Sequence, residues 1–269
     1  MEAAKTLVET VKGLFKEGSI QLAIGFEKGN HGPRPFFCRK EQEADKLLWD
    51  DQCTTNLAVY LTKAELLGTD TVALTANLAA LRSVIQLASE NQLKPEQWII
   101  FTIDAQGEVI RFKGFEEIKE YLEKQPSTVD DDKQELLKKL QGMSREQRWQ
   151  YWTNEMSKCI KCYACRAACP LCYCKQCIVE VNCPQWIQPW SAPLSNMEWQ
   201  INRVMHMAGR CVGCGACAEA CPVDIPLHLL TLSMAENIKE GLETPSAQTV
   251  NKGNVLSTFK VEDKEDFIR

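Results

Sequence analysis

Histidine is scarce in this chain: three in 269 residues, none in a Cys/His or Ser/His arrangement. A histidine-centred hydrolase or zinc enzyme therefore has little to build with. No apolar run approaches the ~18–20 residues that a membrane span requires. The N-terminus, Met1-Glu-Ala-Ala-Lys5, is charged and has no apolar core of the secretory kind. The formal net charge of −5 shows no basic excess, so nucleic acid is not an expected partner. No G-x-G-x-x-G follows a strand-like segment, so no dinucleotide fingerprint is present. These absences predict a soluble, cytoplasmic protein without a catalytic triad or nucleotide fold of its own. Its apolar content of 45% is that of an ordinary globular chain.

Cysteine, by contrast, is abundant at 14 residues, and its spacing is informative. One phrase occurs twice: Cys159-x-x-Cys162-x-x-Cys165-x-x-x-Cys169-Pro170 and Cys211-x-x-Cys214-x-x-Cys217-x-x-x-Cys221-Pro222. This is the ligand run of a two-cluster bacterial-type ferredoxin. Three thiolates at i, i+3 and i+6 let a tight loop wrap three corners of a cubane. The fourth, four residues on, serves the other cluster. One 4Fe-4S set is therefore expected to be Cys159, Cys162, Cys165 and Cys221. The other is expected to be Cys211, Cys214, Cys217 and Cys169. Structural zinc needs neither a third cysteine per run nor a proline after the fourth. Disulfides are rare in a reducing cytosol, and a chain of this size does not need them. Oxygen-labile clusters also suggest an anaerobic or low-oxygen setting. Lys161, Arg166, Lys175, Arg203 and Arg210 stand against Glu180, Glu198 and Glu219 between the motifs, a slight positive excess that would offset cluster charge.

Six cysteines remain, and four of them crowd into one stretch: Cys172, Cys174, Cys177 and Cys183. Thiolates at Cys172, Cys174 and Cys177 plus one distant partner would satisfy a third 4Fe-4S cluster. Cys53 is the first choice for that partner, since it would pin the N-terminal region onto the cluster region. Cys183 is the alternative, and unligated thiols or zinc are the plainer reading. Cys38 reads as an ordinary buried thiol.

Upstream of the motifs the pattern is α/β. Helical spacing covers 3–16, and 20–26 reads as a strand. A loop with Gly25, Gly29 and Gly32 follows it, either turning the chain or cradling a phosphate, with His31 as a loop residue. Residues 44–67 read as one or two helices. A βαβ unit runs through 71–75, 77–91 and 98–103, with Asn77 as N-cap and Pro95 at the turn. A strand at 107–113 and a helix at 115–124 close the unit. Helices are also expected at 132–141, 144–158, 196–208 and 227–240. Ser144 and Gln147 form a capping box, and Gly209 stops the helix before the second motif. Trp149, Tyr151, Trp152 and Met156 are expected to pack over the first cluster. His206 and His228 read as packing residues.

The expected fold class is thus α+β or α/β: a small parallel or mixed sheet with helices, fused to a helix-rich dicluster ferredoxin-like domain. The expected boundaries are an α/β domain at 1–125, a linker and helix at 126–143, the iron–sulfur domain at 144–240 and a partner-binding tail at 241–269.

The run from Cys159 to Cys177 resembles iron–sulfur subunits found beside heterodisulfide-reductase-type flavoproteins. It is similar, too, to beta subunits of formate dehydrogenases and of deazaflavin-dependent hydrogenases. Asp51-Gln-Cys-Thr-Thr-Asn-Leu-Ala-Val-Tyr60 and Ala208-Gly-Arg-Cys-Val-Gly-Cys-Gly-Ala-Cys217 extend the likeness over about 20–235. The resemblance implies a non-catalytic subunit passing electrons between a flavin-bearing subunit and another redox subunit, often in electron-bifurcating assemblies. A hydrogenase or formate dehydrogenase is among the implied partners. No residue carries over as a flavin ligand, so flavin is not expected here. The contrasting expectation is a flavin-dependent oxidoreductase whose N-terminal domain holds its own substrate.

Overall fold

Alternation of side chains in the central strands determines where the N-terminal core sits. In the computed structural model, which describes residues 2–125, 131–242 and 246–247, the first helix α1 (Glu2–Lys16) leads into β1 (Leu22–Gly29) and β2 (Gly32–Cys38). Two 3-10 turns (Glu41–Lys46 and Leu57–Tyr60) and the short α2 (Ala64–Leu67) precede β3 (Val72–Thr75). Then come α3 (Leu78–Ser89), β4 (Trp98–Ile103), β5 (Val109–Phe112) and α4 (Phe115–Glu123). The sheet order is β2-β1-β3-β4-β5. The inner pairs β1–β3 and β3–β4 are parallel, and the outer pairs are antiparallel, so the sheet is mixed.

Both faces of this sheet are covered, as period-two burial requires. Leu22, Ile24, Phe26, Val72, Leu74 and Ile100 join one core with α3 and α4. Ala23, Ala73, Phe101 and Ile103 face the other way, against Leu7, Val11 and Leu14 of α1. Those three recur at helical spacing and are 0%, 0% and 4% exposed. Truncating any large member of either core to alanine should cost about 2–5 kcal/mol.

Two sequence expectations need correcting. The glycine-containing segment after β1 is a β-hairpin rather than a loop, with Asn30 and His31 at its turn. Pro33 and Pro35 are tolerated because β2 is an edge strand, where missing amide donors face outward. Residues 44–67 do not form long helices either. Their apolar positions instead fill short turns that line the sheet. The βαβ unit forms as expected. Asn77 caps α3, its side chain accepting from the Ala80 amide at 2.9 Å.

The C-terminal half is helical and wraps the cysteine motifs. It comprises α5 (Asp131–Gln141), α6 (Arg145–Ser157), α7 (Ala164–Ala167), α8 (Pro193–His206), α9 (Ala216–Glu219) and α10 (Leu227–Leu242). The Ser144–Gln147 capping box opens α6. Buried Asn196 ties α8 to the end of α6, donating to the carbonyls of Met156 (3.0 Å) and Cys159 (2.9 Å). Met156 and Trp152 pack beside motif cysteines, whereas Trp149 is 55% exposed and covers nothing there. Among the described residues, no helix is long and apolar enough to cross a membrane. Residues 126–130 of the expected 126–143 linker and helix, and most of the 241–269 tail, lie outside the described residues. Of the tail, Ser246 donates to the Cys211 carbonyl at 2.6 Å and the Ala247 amide donates to Gln86 at 2.8 Å.

Two outcomes follow from this architecture. The Asn77 amide also donates to the carbonyls of Cys53, Thr54 and Thr55 at 3.0–3.2 Å. Asn77→Ala is therefore expected to destabilise by about 2 kcal/mol in urea denaturation. Asn77→Asp keeps the cap acceptor but loses the donor to these carbonyls, so it should destabilise as well. Cys38 is fully buried, and burial pushes its thiol up to about 11. It should resist alkylation at pH 8, where about one thiol in a thousand is ionised. The proton is held more tightly in the folded chain, so this thiol's contribution to stability is whole below pH 9 and declines towards pH 11.

Candidate iron–sulfur centre

The two cysteine loops adopt one backbone. Lys161 (φ 53°) and Tyr163 (φ 58°) in the first loop match Gly213 (φ 71°) and Gly215 (φ 78°) in the second. All four are left-handed, a conformation that glycine adopts freely and a side chain resists by ~1–2 kcal/mol. The first loop tolerates it because its side chains are anchored. Lys161 is 7% exposed and its ammonium donates to the Gln188 carbonyl. Tyr163 packs edge-on against Trp199 of α8, with centroids 5.3 Å apart. Each left-handed turn aims amides at sulfur. The Lys161 N–H faces the Cys159 Sγ at 3.4 Å, and the Gly213 N–H makes the equivalent approach to Cys211. Ala216 does the same for Cys214. The short helices α7 and α9 then present Cys169 and Cys221 at matching ends.

Each loop encloses a cavity whose fourth cysteine comes from the other motif. Cys159, Cys162 and Cys165 line one cavity with Cys221. Cys211, Cys214 and Cys217 line another with Cys169. Cys172, Cys174 and Cys177 line a third cavity, together with Arg166, Arg203, His206 and Arg210. The cavities adjoin. Trp199 lines the first and the third, while Arg203, Leu171 and Met207 line the second and the third. The Cys169 and Cys172 thiols hydrogen-bond across that shared wall, Cys172 being the more acidic of the two.

Cys53 is not in the lining of the third cavity. It belongs to the N-terminal core, 4% exposed, with its sulfur 3.5 Å from an Asp50 carboxylate oxygen. Its backbone is held there by Asn77, the cap of α3. Burial, then the nearby Asp50 carboxylate, pushes its thiol up to about 12. Cys183 is exposed and is likewise absent from that lining. His206 is exposed at the cavity edge, whereas buried His228 lines the Cys211 cavity.

Burial also raises the motif thiols, Cys211 to about 12 and Cys217 to about 11, the first partly offset by a hydrogen bond from Thr231 and the second by Arg203. Thiols of this kind stay protonated on their own and ionise when a metal group takes the proton's place. Among the described residues, no three Cys, His, Asp or Glu side chains converge closely enough for a single metal ion. The thiols instead ring cavity walls, as a cubane's separated corners demand. Donor chemistry fits as well: soft thiolates with N–H groups aimed at them suit iron–sulfur clusters. Buried Arg203, whose Nε and Nη1 have no oxygen or nitrogen acceptor, supplies a cation for an anionic group.

Several of these contributors escaped the sequence reading. Gln200 donates to the Cys165 Sγ at 3.7 Å, and Asn56 of the N-terminal half lies beside Cys214. A usable signal existed for α8: Asn196, Gln200 and Arg203 recur at helical spacing just ahead of a cysteine motif. All three are buried.

A match to the 4Fe-4S binding domain family covers residues 204–226, the second loop with its flanks. That segment is thus similar to 4Fe-4S binding domains, which supports at least one 4Fe-4S cluster. Over 110 residues it is 32% identical to the F420-dependent formate dehydrogenase subunit beta of Methanocaldococcus jannaschii. That stretch is 40% of this chain and 28% of the relative, so the chain spans well under half of that protein's length. Together these findings support an iron–sulfur electron-transfer subunit.

The wall behind the second and third cavities is tied to the N-terminal half by one polar knot. Arg210 Nε pairs with Glu90 Oε2 at 3.2 Å, Tyr173 donates to the same carboxylate, and Gln86 donates to its other oxygen at 2.7 Å. Glu90 is 5% exposed, so removing it takes the carboxylate acceptor from both Arg210 and Tyr173, leaving them only each other. Glu90→Ala should cost about 2 kcal/mol in denaturant titration, and Tyr173→Phe clearly less.

Proposed function

We propose that this chain is an electron-relay subunit of a larger oxidoreductase complex. In this reading Cys159, Cys162, Cys165 and Cys221 hold one 4Fe-4S cluster, and Cys211, Cys214, Cys217 and Cys169 hold a second. A third is held by Cys172, Cys174 and Cys177. The observation that carries the reading is the pair of cavities, each ringed by three cysteines of one motif and one of the other. Bound there, such clusters supply one-electron transfer at low potential. The chain's own residues set the conditions. Met156, Trp199 and Leu227 exclude water from the walls, and backbone amides point at the sulfurs. Cys162 and Cys174 reach the surface, whereas Cys165 and Cys217 are buried, which suits entry and exit at separate points.

The fourth ligand of the third cluster is open to direct choice. His206 already lines the cavity, while Cys53 and Cys183 would have to be brought to it. The partners proposed are a flavin-bearing subunit on one side and a second redox subunit on the other, of heterodisulfide-reductase, hydrogenase or formate dehydrogenase type. The beta-subunit likeness supports this setting, and electron bifurcation in an anaerobic cytoplasm is its fullest form.

Iron, acid-labile sulfide and released flavin, measured on the anaerobically purified full chain, test this directly. About twelve irons per chain and no flavin is the expected result. About eight would remove the third cluster, and about four or fewer would contradict the paired cavities. Stoichiometric flavin would favour an oxidoreductase with its own substrate site. In the same assay, iron loss in Cys53→Ala or in His206→Ala identifies the fourth ligand.

A further inference from the structure

Arg203 is a buried charge on the cysteine cavities. It is 3% exposed, lies on α8, and lines both the Cys169/Cys211/Cys214/Cys217 cavity and the Cys172/Cys174/Cys177 cavity. Its Nη2 donates to the carbonyl of Cys165, a residue of the remaining loop, at 3.3 Å. The guanidinium also hydrogen-bonds the Cys172 and Cys217 thiols, one on each side, while Nε and Nη1 have no oxygen or nitrogen acceptor. Arginines of the third cavity differ in how their charge is used. Arg166 is paired with Glu180 at 2.6 Å and Arg210 with Glu90 at 3.2 Å. Among the described residues, no carboxylate forms an ion pair with Arg203. A buried cation without a counter-charge is costly, so a fold that keeps one implies an anion at that place.

We propose that Arg203 is the common counter-charge of the cysteine cavities and raises the reduction potentials of the clusters on both sides of it together. The proposal rests on the cluster reading above. Thiolate-ligated clusters are anionic, and reduction adds one more negative charge from an external donor, with no bond made or broken and no proton moved at Arg203. A guanidinium held in a dry wall is weakly screened, so it favours the reduced form far more than a surface lysine would. Arg203 is thus a tuning residue: it ligates nothing. Because one charge faces two cavities, its loss should be felt at more than one cluster.

The test uses the full chain, purified anaerobically, as wild type, Arg203→Met and Arg203→Lys. Each is assayed for iron and then titrated with dithionite and mediators under EPR. Arg203→Met is expected to keep its iron while the reduced-to-oxidised ratio at a fixed potential falls at least tenfold. For a one-electron couple that is about 59 mV. More than one cluster signal should move. Arg203→Lys, which keeps the charge, should stay within about threefold of wild type, a small fraction of a tenfold step. Full iron with an unshifted Arg203→Met titration would overturn the proposal. Equal shifts in both variants would also overturn it, assigning the effect to packing. Should Arg203→Met lose iron, the Lys variant decides: near-wild-type potentials support the charge role, and a tenfold shift refutes it. A wild-type chain without iron would instead defeat the cluster reading itself.

Discussion

Reciprocal exchange of one cysteine between two loops is the constraint on which the rest of this structure depends. Neither loop completes its own ring of thiols. Cys221 lines the first cavity and Cys169 the second, so the two motifs are held face to face. That arrangement explains the paired short helices α7 and α9, which present the exchanged residues at equivalent ends. It explains as well why α8 and α10 pack across both loops. Their burial of Met197, Trp199 and Leu227 supplies apolar walls that the thiols cannot supply. Four thiols in such a setting cannot ionise cheaply, and a metal group that takes their protons then contributes to folding.

The N-terminal sheet serves the same end by a different route. One of its covered faces continues directly into the cluster region through Leu171 and Met207, which belong to the sheet's own core. Glu90, Gln86 and Asn56 extend from its helices and turns towards Arg210, the backbone around Cys211 and the thiol of Cys214. The two cysteine loops, with only the four-residue α7 and α9, have little regular structure of their own. Docking them on a rigid mixed sheet restricts the cavity walls, which matters where small changes in solvent access alter potentials.

Much of this was legible beforehand, for identifiable reasons. Cysteine spacing is read through covalent geometry and cluster shape, so the crossed grouping of Cys169 and Cys221 followed from the motif. Caps at Asn77 and Ser144 were legible because a side chain at a helix start has one local task. The hairpin at β1–β2 was missed because glycines and prolines usually signal loops, and only the edge position of β2 makes Pro33 and Pro35 compatible with a strand. Spacing in 44–67 suggests helices, but its apolar residues answer to the sheet rather than to a helical face. Arg203 was visible only as one positive charge in a count, since its burial depends on the packing of α8 against two distant loops. Cys53 shows the converse: a suggestive local sequence whose thiol the fold turns into the N-terminal core.

The central claim is that neighbouring cysteine cavities form one electron path. Cavities sharing Arg203, Leu171 and Trp199 as walls would hold bound clusters side by side, where their spins should couple. EPR of the dithionite-reduced full chain reads this directly. The account predicts split and broadened signals from spin-coupled 4Fe-4S clusters, simplifying to an uncoupled spectrum at partial reduction. A single uncoupled signal integrating to about one spin per chain at full reduction would contradict it, since each reduced cluster carries one unpaired spin.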